Sequence, residues 1–324
     1  MQGVSFTELA PDPQALFDFY KRVQVTNIGS TPDADLIEKI KSHSQALCIV
    51  NTRKHAKGLF GLLDNEGSFH LSTLMCPTHR KEVLSEVRKR LKSGRPCRVI
   101  STQVMEAGID VDFPVGFRAL AGLDSIIQAA GRVNREMKQD ISDVYVFDPE
   151  TPFIKRTPVF IQQGAAVAES ILRDFAGRSD SKEAIESYFN FLYNLQSATA
   201  FDVKNILAFF DKGSDVFDFD FKTAAENFRM IDNNTVAVVI PYNDEAKRLL
   251  EQAKYHPFPY TFARQLQMYS VNIYENEFVK LQSKGVIETI NDTYEALTDM
   301  EHFYDQNTGL VLPEDAGGDT IFFD

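Results

Sequence analysis

The sequence has no apolar run near the roughly 18 residues a helix needs to cross a bilayer, so no membrane span is expected. Met1 to Pro13 carries acids and prolines where a secretory leader would carry basic residues and then an apolar stretch, so no signal peptide is expected either. Cysteine is scarce. Cys48, Cys76 and Cys97 are too few for a disulfide framework, and two of them sit in apolar, strand-like runs where a buried, reduced thiol is expected. These absences point to a cytoplasmic protein with no membrane partner. The chain also has no Gly-x-x-x-x-Gly-Lys-Ser/Thr run, so nothing in it cradles β- and γ-phosphates in the P-loop manner. No Asp-Glu-x-His/Asp run is present to hold magnesium.

What is present is ordinary in bulk and uneven in distribution. With 324 residues the chain is long enough for two domains, and its 44% hydrophobic and 25% charged content suits a soluble globular fold. The net charge of −12 argues at first against a nucleic-acid partner. Residues 1–150, however, hold 19 basic and 19 acidic residues, whereas residues 151–324 hold 15 and 27, so all the excess acid lies in the second half. In the first half Arg80, Lys81, Arg88, Lys89, Arg90, Lys92, Arg95 and Arg98 crowd one stretch, either a solvated helix face or an anion-facing one.

From about residue 34 short β-type runs alternate with helical ones. Strands are expected at 46–50, 69–74, 98–100, 117–120 and 144–147, with helices at 54–63, 78–92 and 123–135. This alternation predicts an α/β fold with a parallel sheet covered by helices on both faces, whose ligands meet the loops at the carboxyl ends of the strands.

Three segments there carry candidate chemistry. In Asn51-Thr52-Arg53, a hydroxyl and a guanidinium beside a helix N-terminus can hold a phosphate. In Ser101–Asp110, Ser101 and Thr102 can reach phosphate oxygens, Gly108 permits close backbone approach, and Asp110 can accept from a ribose hydroxyl. The third is Gln128-Ala-Ala-Gly131-Arg132-Val-Asn-Arg135. On a continuous helix its named residues share one face, and two arginines there without a local carboxylate suit a phosphate-facing site. Each segment alone has a bland reading: a helix cap with a surface arginine, a turn after a strand, a salt-bridged helix. Their order across one βαβ half is more specific.

In that order the segments resemble motifs IV, V and VI of the second RecA-like domain of a superfamily 2 helicase, over roughly residues 34–150. The resemblance implies that Thr52, Arg53, Ser101 and Thr102 contact the phosphates of a tracked strand and that Gly108, Asp110, Gln128 and Gly131 border the nucleotide. Arg132 and Arg135 would be arginine fingers that stabilise transition-state charge. ATP and Mg2+ would sit at an interface completed by a first RecA-like domain, so the chain alone would be inactive. A narrower resemblance, carried by His70–Arg80, Met105–Pro114 and Tyr304–Leu310, is to the CRISPR-associated type I helicase–nuclease, I-C branch. It implies single-stranded DNA as substrate, an N-terminal nuclease and first motor domain as partners, and recruitment by an RNA-guided CRISPR surveillance complex. No adjacent His-Asp pair for such a nuclease occurs in this sequence. Two other readings compete: a non-enzymatic binding module that reuses the motor fold, and a fragment of another DNA or RNA helicase.

The expected division is a lead-in at 1–33, the RecA-like domain at 34–150, a helical linker region at 151–230 and an α+β accessory domain at 231–324. Pro149, Pro152 and Pro158 mark the linker, followed by helices near 159–176, 180–196, 202–212 and 221–229. Beyond these come a β-type run at 236–240, a helix at 244–254, and short strands at 269–274, 286–290 and 309–312. Tyr255, Phe258, Tyr260 and Phe262 could stack bases but read more simply as a packed corner. His70, Cys76 and His79 lack a nearby fourth ligand, so no metal site is expected.

Overall fold

The computed structural model describes residues 7–64, 66–149, 159–194, 202, 204–210, 219–228 and 235–313. After a short helix, α1 (Pro13–Phe19), the first unit runs β1 (Val23–Thr31), α2 (Asp33–Lys41), β2 (Gln45–Ile49), α3 (Arg53–Gly61), β3 (Ser68–Leu71), α4 (Pro77–Ser93), β4 (Cys97–Ser101), β5 (Gly116–Ala119), α5 (Leu123–Ala130) and β6 (Ser142–Pro149). The six strands form one sheet in the order β1-β6-β5-β2-β4-β3, and every neighbouring pair is parallel. This is the expected RecA-like α/β sheet.

Alternation along β2 shows how the layers form, because successive side chains of a strand point to opposite faces. Ala46, Cys48 and Val50 join Leu36, Ile37 and Ile40 of α2 and Ala56 and Leu59 of α3 in one core. Leu47 and Ile49 pack on the opposite face with Val87 of α4 and Ala129 of α5. With both faces covered, the central strands are buried throughout and read as continuous apolar runs.

Two expectations are corrected here. Residues 1–33 are not merely a lead-in, since β1 pairs with β6 from Val23 against Ser142 to Thr31 against Pro149. It is an edge strand in which Val23 and Val25 are buried between polar neighbours. A bulge between Asn27 and Gly29, with Gly29 at φ +70°, breaks its pattern further. The helix expected to run to Arg135 ends at Ala130, where Gly131 is the cap, and the chain then turns so that Val133 bridges Phe113 ahead of β5. The third motif segment therefore spans the end of a helix, with Gln128 still inside α5, and its residues do not share one helical face.

Pro152 and Pro158 of the expected linker lie outside the described residues, as does the end of the helix expected at 202–212. The helices α6 (Val159–Asp174) and α7 (Lys182–Asn194) pack on the RecA-like sheet. Val167, Ala168 and Ile171 of α6 and Tyr188 of α7 share a core with Val25, Ile126 and Val144. A short α8 (Phe221–Asn227) follows.

The C-terminal unit holds β7 (Thr235–Val239), α9 (Asp244–Tyr255), α10 (Ala263–Leu266), β8 (Ser270–Tyr274), α11 (Glu275–Ser283), β9 (Ile287–Ile290), β10 (Tyr294–Leu297), α12 (Met300–Phe303), β11 (Tyr304–Asp305) and β12 (Gly309–Leu310). Its mixed sheet has the order β8-β7-β10-β9, and β11 and β12 form a small hairpin. That hairpin docks on the stretch before α4. Leu310 N–H donates to Leu74 O at 2.7 Å, Cys76 N–H donates to the Tyr304 hydroxyl at 3.2 Å, and Leu74 and Cys76 enter the accessory core. Two runs that drew the narrower resemblance, 70–80 and 304–310, are thus the two sides of one interface. The expected packed aromatic corner is not found: Tyr255, Phe258 and Tyr260 stand 75%, 56% and 65% exposed, and only Phe262 packs on the core behind them.

Candidate motor-domain site

The first segment follows β2 and starts α3. Thr52 caps that helix, its Oγ1 accepting the His55 N–H at 3.2 Å, so the hydroxyl expected at a phosphate is spent on an N-terminus. Arg53 is also placed differently from expectation. It is buried, lies 2.6 Å from Glu277 of α11 and sits over the Tyr274 ring, bound to the accessory unit. Ser101 and Thr102 are buried where β4 ends, and Ser101 Oγ is within bonding distance of the Leu71 and Thr102 carbonyls, at 3.0 and 2.9 Å.

The second and third segments meet directly. Arg132 donates from Nε to the carbonyls of Met105 and Glu106, both at 3.2 Å, and from Nη2 to the Glu106 carbonyl. Burial draws its pKa down, the nearby Arg135 adds to that, and Asp110 opposes it. Arg135 Nε lies 3.1 Å from Asp110, which corrects the expectation that these arginines lack a local carboxylate. Its backbone N–H donates to Asp112 at 2.7 Å. Gly108 adopts φ +70° with open space where a Cβ would stand, and Gln128 is exposed on α5.

Two functional candidates escaped the sequence reading. Arg118, in the middle of β5, is wholly buried, with Nη1 donating to Asn51 Oδ1 and to the Ala119 carbonyl, both at 2.6 Å. Its Nε lies 2.9 Å from Glu106 Oε1, the separation of an ion pair without the angle of a hydrogen bond, and its Nη2 makes no hydrogen bond among the described residues. Burial raises the Glu106 carboxyl pKa, while Arg118 and a bond from Ser125 hold it down. Asn51 in turn donates to the Leu120 carbonyl at 2.8 Å. Segment 51–53 is therefore tied through Arg118 to Glu106 of the second segment, and Arg132 of the third grips that residue's main chain. The available signal was an arginine inside a strand of a sheet covered on both faces, which must be paired to be buried.

A cleft of about 310 Å³ opens beside Asn51, Thr52, Leu120, Asp148 and Glu169. Burial raises the Asp148 pKa, with Glu169 adding to it, so two neighbouring carboxyl groups share this wall. His79, considered as a metal ligand, has both ring nitrogens taken. Nε2 lies 3.0 Å from the Gln306 carbonyl, which can only accept, and Nδ1 therefore accepts from the Tyr304 hydroxyl at 2.9 Å.

This parallel sheet, with three candidate loops, is a RecA-like α/β fold that offers two arginines, and no P-loop motif occurs in the sequence. Residues 42–138 match the family described as CRISPR-associated nuclease/helicase Cas3, C-terminal. A curated CRISPR-associated nuclease/helicase Cas3 from Haloferax volcanii is 34% identical over 125 residues, 34% of this chain and 13% of the relative. Among solved structures, T. fusca Cas3 with ATP superposes with a TM-score of 0.54 at 17% identity, over 92% of this chain and 41% of that one. A chain of a CRISPR RNA-guided surveillance complex, pre-nicking, gives 0.56 at 14% identity, over 90% and 44%. Residues 42–138 are thus similar to the C-terminal part of the CRISPR-associated Cas3 nuclease/helicases, and nothing in these likenesses singles out the I-C branch. The chain spans less than half the length of these relatives.

Proposed function

We infer that this chain is the second motor domain and accessory domain of an ATP-dependent single-stranded-DNA translocase that unwinds foreign DNA and helps degrade it in CRISPR defence. The observation that carries this reading is the meeting of Arg132 and Arg135 with the Ser101–Asp110 loop. A guanidinium that donates to two carbonyls keeps further N–H groups for an incoming phosphate, and a charged acceptor outcompetes neutral ones. Among the described residues the Arg135 guanidinium meets one carboxylate, the solvent-exposed Asp110, an ion pair worth little and readily exchanged.

In this reading ATP and Mg2+ are held by a P-loop on a first RecA-like domain outside this chain. Arg132 and Arg135 reach across to the terminal phosphate as it transfers. Gly108, Gln128, Gly131 and Asp110 border the nucleotide. Nucleic-acid phosphates are met at segments 51–53 and 101–102 by Thr52, whose capping hydroxyl keeps its own proton to donate, and by Thr102, with Ser101 joining only if its hydroxyl leaves the Leu71 and Thr102 carbonyls. Arg53 contributes there only if it leaves Glu277. The partners are single-stranded DNA, the nuclease and first motor domain, and an RNA-guided surveillance complex, in the cytoplasm.

The test mixes this chain with a P-loop-bearing first motor domain and measures ATP hydrolysis with and without single-stranded DNA. Stimulation on mixing, lowered about a thousandfold by Arg132→Ala, is expected of an arginine finger. Hydrolysis that ignores both Arg132→Ala and Arg135→Ala would sink the reading and favour a binding module.

A further inference from the structure

Resting on the motor reading above, we propose that Glu106 and Arg118 are positioning residues that aim Arg132 at the nucleotide. Among the described residues no carboxylate bonds to the half-buried Arg132 guanidinium. Arg132 is oriented by two main-chain carbonyls, those of Met105 and Glu106, which accept from Nε and Nη2. That leaves Nη1, which makes no hydrogen bond among the described residues, pointing away from the grip. The direction of Nη1 therefore depends on where residues 105 and 106 are held.

The loop that carries them has little regular structure: one three-residue turn of helix, Gln103–Met105, and then Gly108 at positive φ. Met105 is pinned by apolar packing. Glu106 is pinned by charge, its carboxylate lying against an arginine that has no exposure at all. Arg118 cannot yield, because β5 fixes its backbone and Asn51 and the Ala119 carbonyl hold its Nη1. A rigid strand thus fixes a carboxylate, the carboxylate fixes a carbonyl, and the carbonyl fixes the finger. An ångström of misplacement at such a group costs up to about a hundredfold in rate.

A buried ion pair in a sheet has a purely structural explanation as well, and the two make different predictions. In the reconstituted motor, Glu106→Gln should lower kcat for ATP hydrolysis about tenfold to a hundredfold. KM for ATP and the affinity for single-stranded DNA should stay within about twofold. The double variant Glu106→Gln/Arg118→Met, which removes the charge pair altogether, should regain thermal stability without regaining kcat. Recovery of both together would assign the pair a structural role only and overturn the proposal.

A second readout needs this chain alone. In 15N spectra of the arginine side chains, the Arg132 Nε–H, identified by its loss in Arg132→Lys, should shift and exchange faster in Glu106→Gln. An unchanged resonance would also overturn the proposal. If Arg132→Ala lowers hydrolysis but Glu106→Gln does not, the positioning role fails while the motor reading stands. If neither has an effect, both fail.

Discussion

Arg53, in the first turn of α3, lies 2.6 Å from Glu277 of α11, 224 residues further along the chain. Their side chains are 8% and 15% exposed, so the pair is desolvated, and Glu277 also accepts the Tyr274 N–H at 2.9 Å. The residue expected at a tracked strand's phosphates instead ties the RecA-like unit to the C-terminal unit. Removing one partner of a buried pair leaves the other charge uncompensated. Arg53→Ala should therefore lower the free energy of unfolding by about 3 kcal/mol. Arg53→Met combined with Glu277→Leu should recover most of that in urea titrations. An Arg53→Ala loss under about 0.5 kcal/mol would mean that the pair is solvated in solution.

The hairpin that completes this docking has no room for a side chain at residue 309. Gly309 has φ +85°, and an added Cβ would collide with the Leu74 carbonyl and the Met75 amide, both backbone atoms. Gly309→Ala should destabilise by roughly 2 to 3 kcal/mol, combining strain at positive φ with displacement of the Leu310 to Leu74 bond. Gly108 is the control. Its φ is +70° but the surrounding space is open, so Gly108→Ala should cost only about 1 kcal/mol. Equal melting temperatures for the two variants would contradict the close approach at Leu74.

Acid should weaken the fold through His70, which lies at the far edge of the sheet in β3. Burial pulls its pKa down from 6.5 to about 4, with Lys57 adding to the effect. The folded state thus favours the neutral ring, and the unfolded chain takes up the proton first. Stability is complete above about pH 6.5, falls as pH drops toward 4, and levels off below that. The loss reaches about 2 kcal/mol by pH 5. Burial lowers the His79 pKa too, so the parent chain carries both contributions. Thermal unfolding of the parent and of His70→Leu across pH 7 to 5 should show a shallower slope for the variant. Parallel curves would mean that the His70 ring is hydrated in the native state.

Much of this architecture was legible in the residues. The buried strands at 46–50 and 98–100 stand out as apolar runs, because a core on both faces leaves few polar positions in a central strand, and the helix at 78–92 stands out by its spacing. β1 was missed for the converse reason: an edge strand with one buried face and a bulge at Gly29 reads as linker. The overlong α5 arose because Val133 continues the apolar spacing, but it does so from a bridge to Phe113, a tertiary contact that spacing cannot show. The motif segments were found, yet the partners of their side chains were not. Arg53 is committed to Glu277, 224 residues away, and Glu106 to Arg118, which lies on the following strand, and both pairings join separate elements. Arg118 alone left a local trace, a charge within a buried strand.

The loop that carries Arg135 separates a fixed main chain from a releasable side chain. Its backbone N–H is bound by Asp112, whose side chain is only 10% exposed and also lies 3.0 Å from Lys138 Nζ. Its guanidinium meets Asp110, which is 82% exposed. These two aspartates should therefore behave oppositely. Asp110→Asn removes a screened surface pair and should change stability by no more than about 0.5 kcal/mol. Asp112→Ala removes the acceptor of a backbone donor and a lysine partner, and should cost about 1 to 2 kcal/mol. On the proposed function, Asp112→Ala should also lower ATP turnover in the reconstituted motor toward the Arg135→Ala level, because the Arg135 backbone loses its anchor. Chemical denaturation and single-turnover hydrolysis check the two halves. Full turnover in Asp112→Ala would show that the Arg135 backbone needs no anchor, and that the nucleotide itself orders the loop.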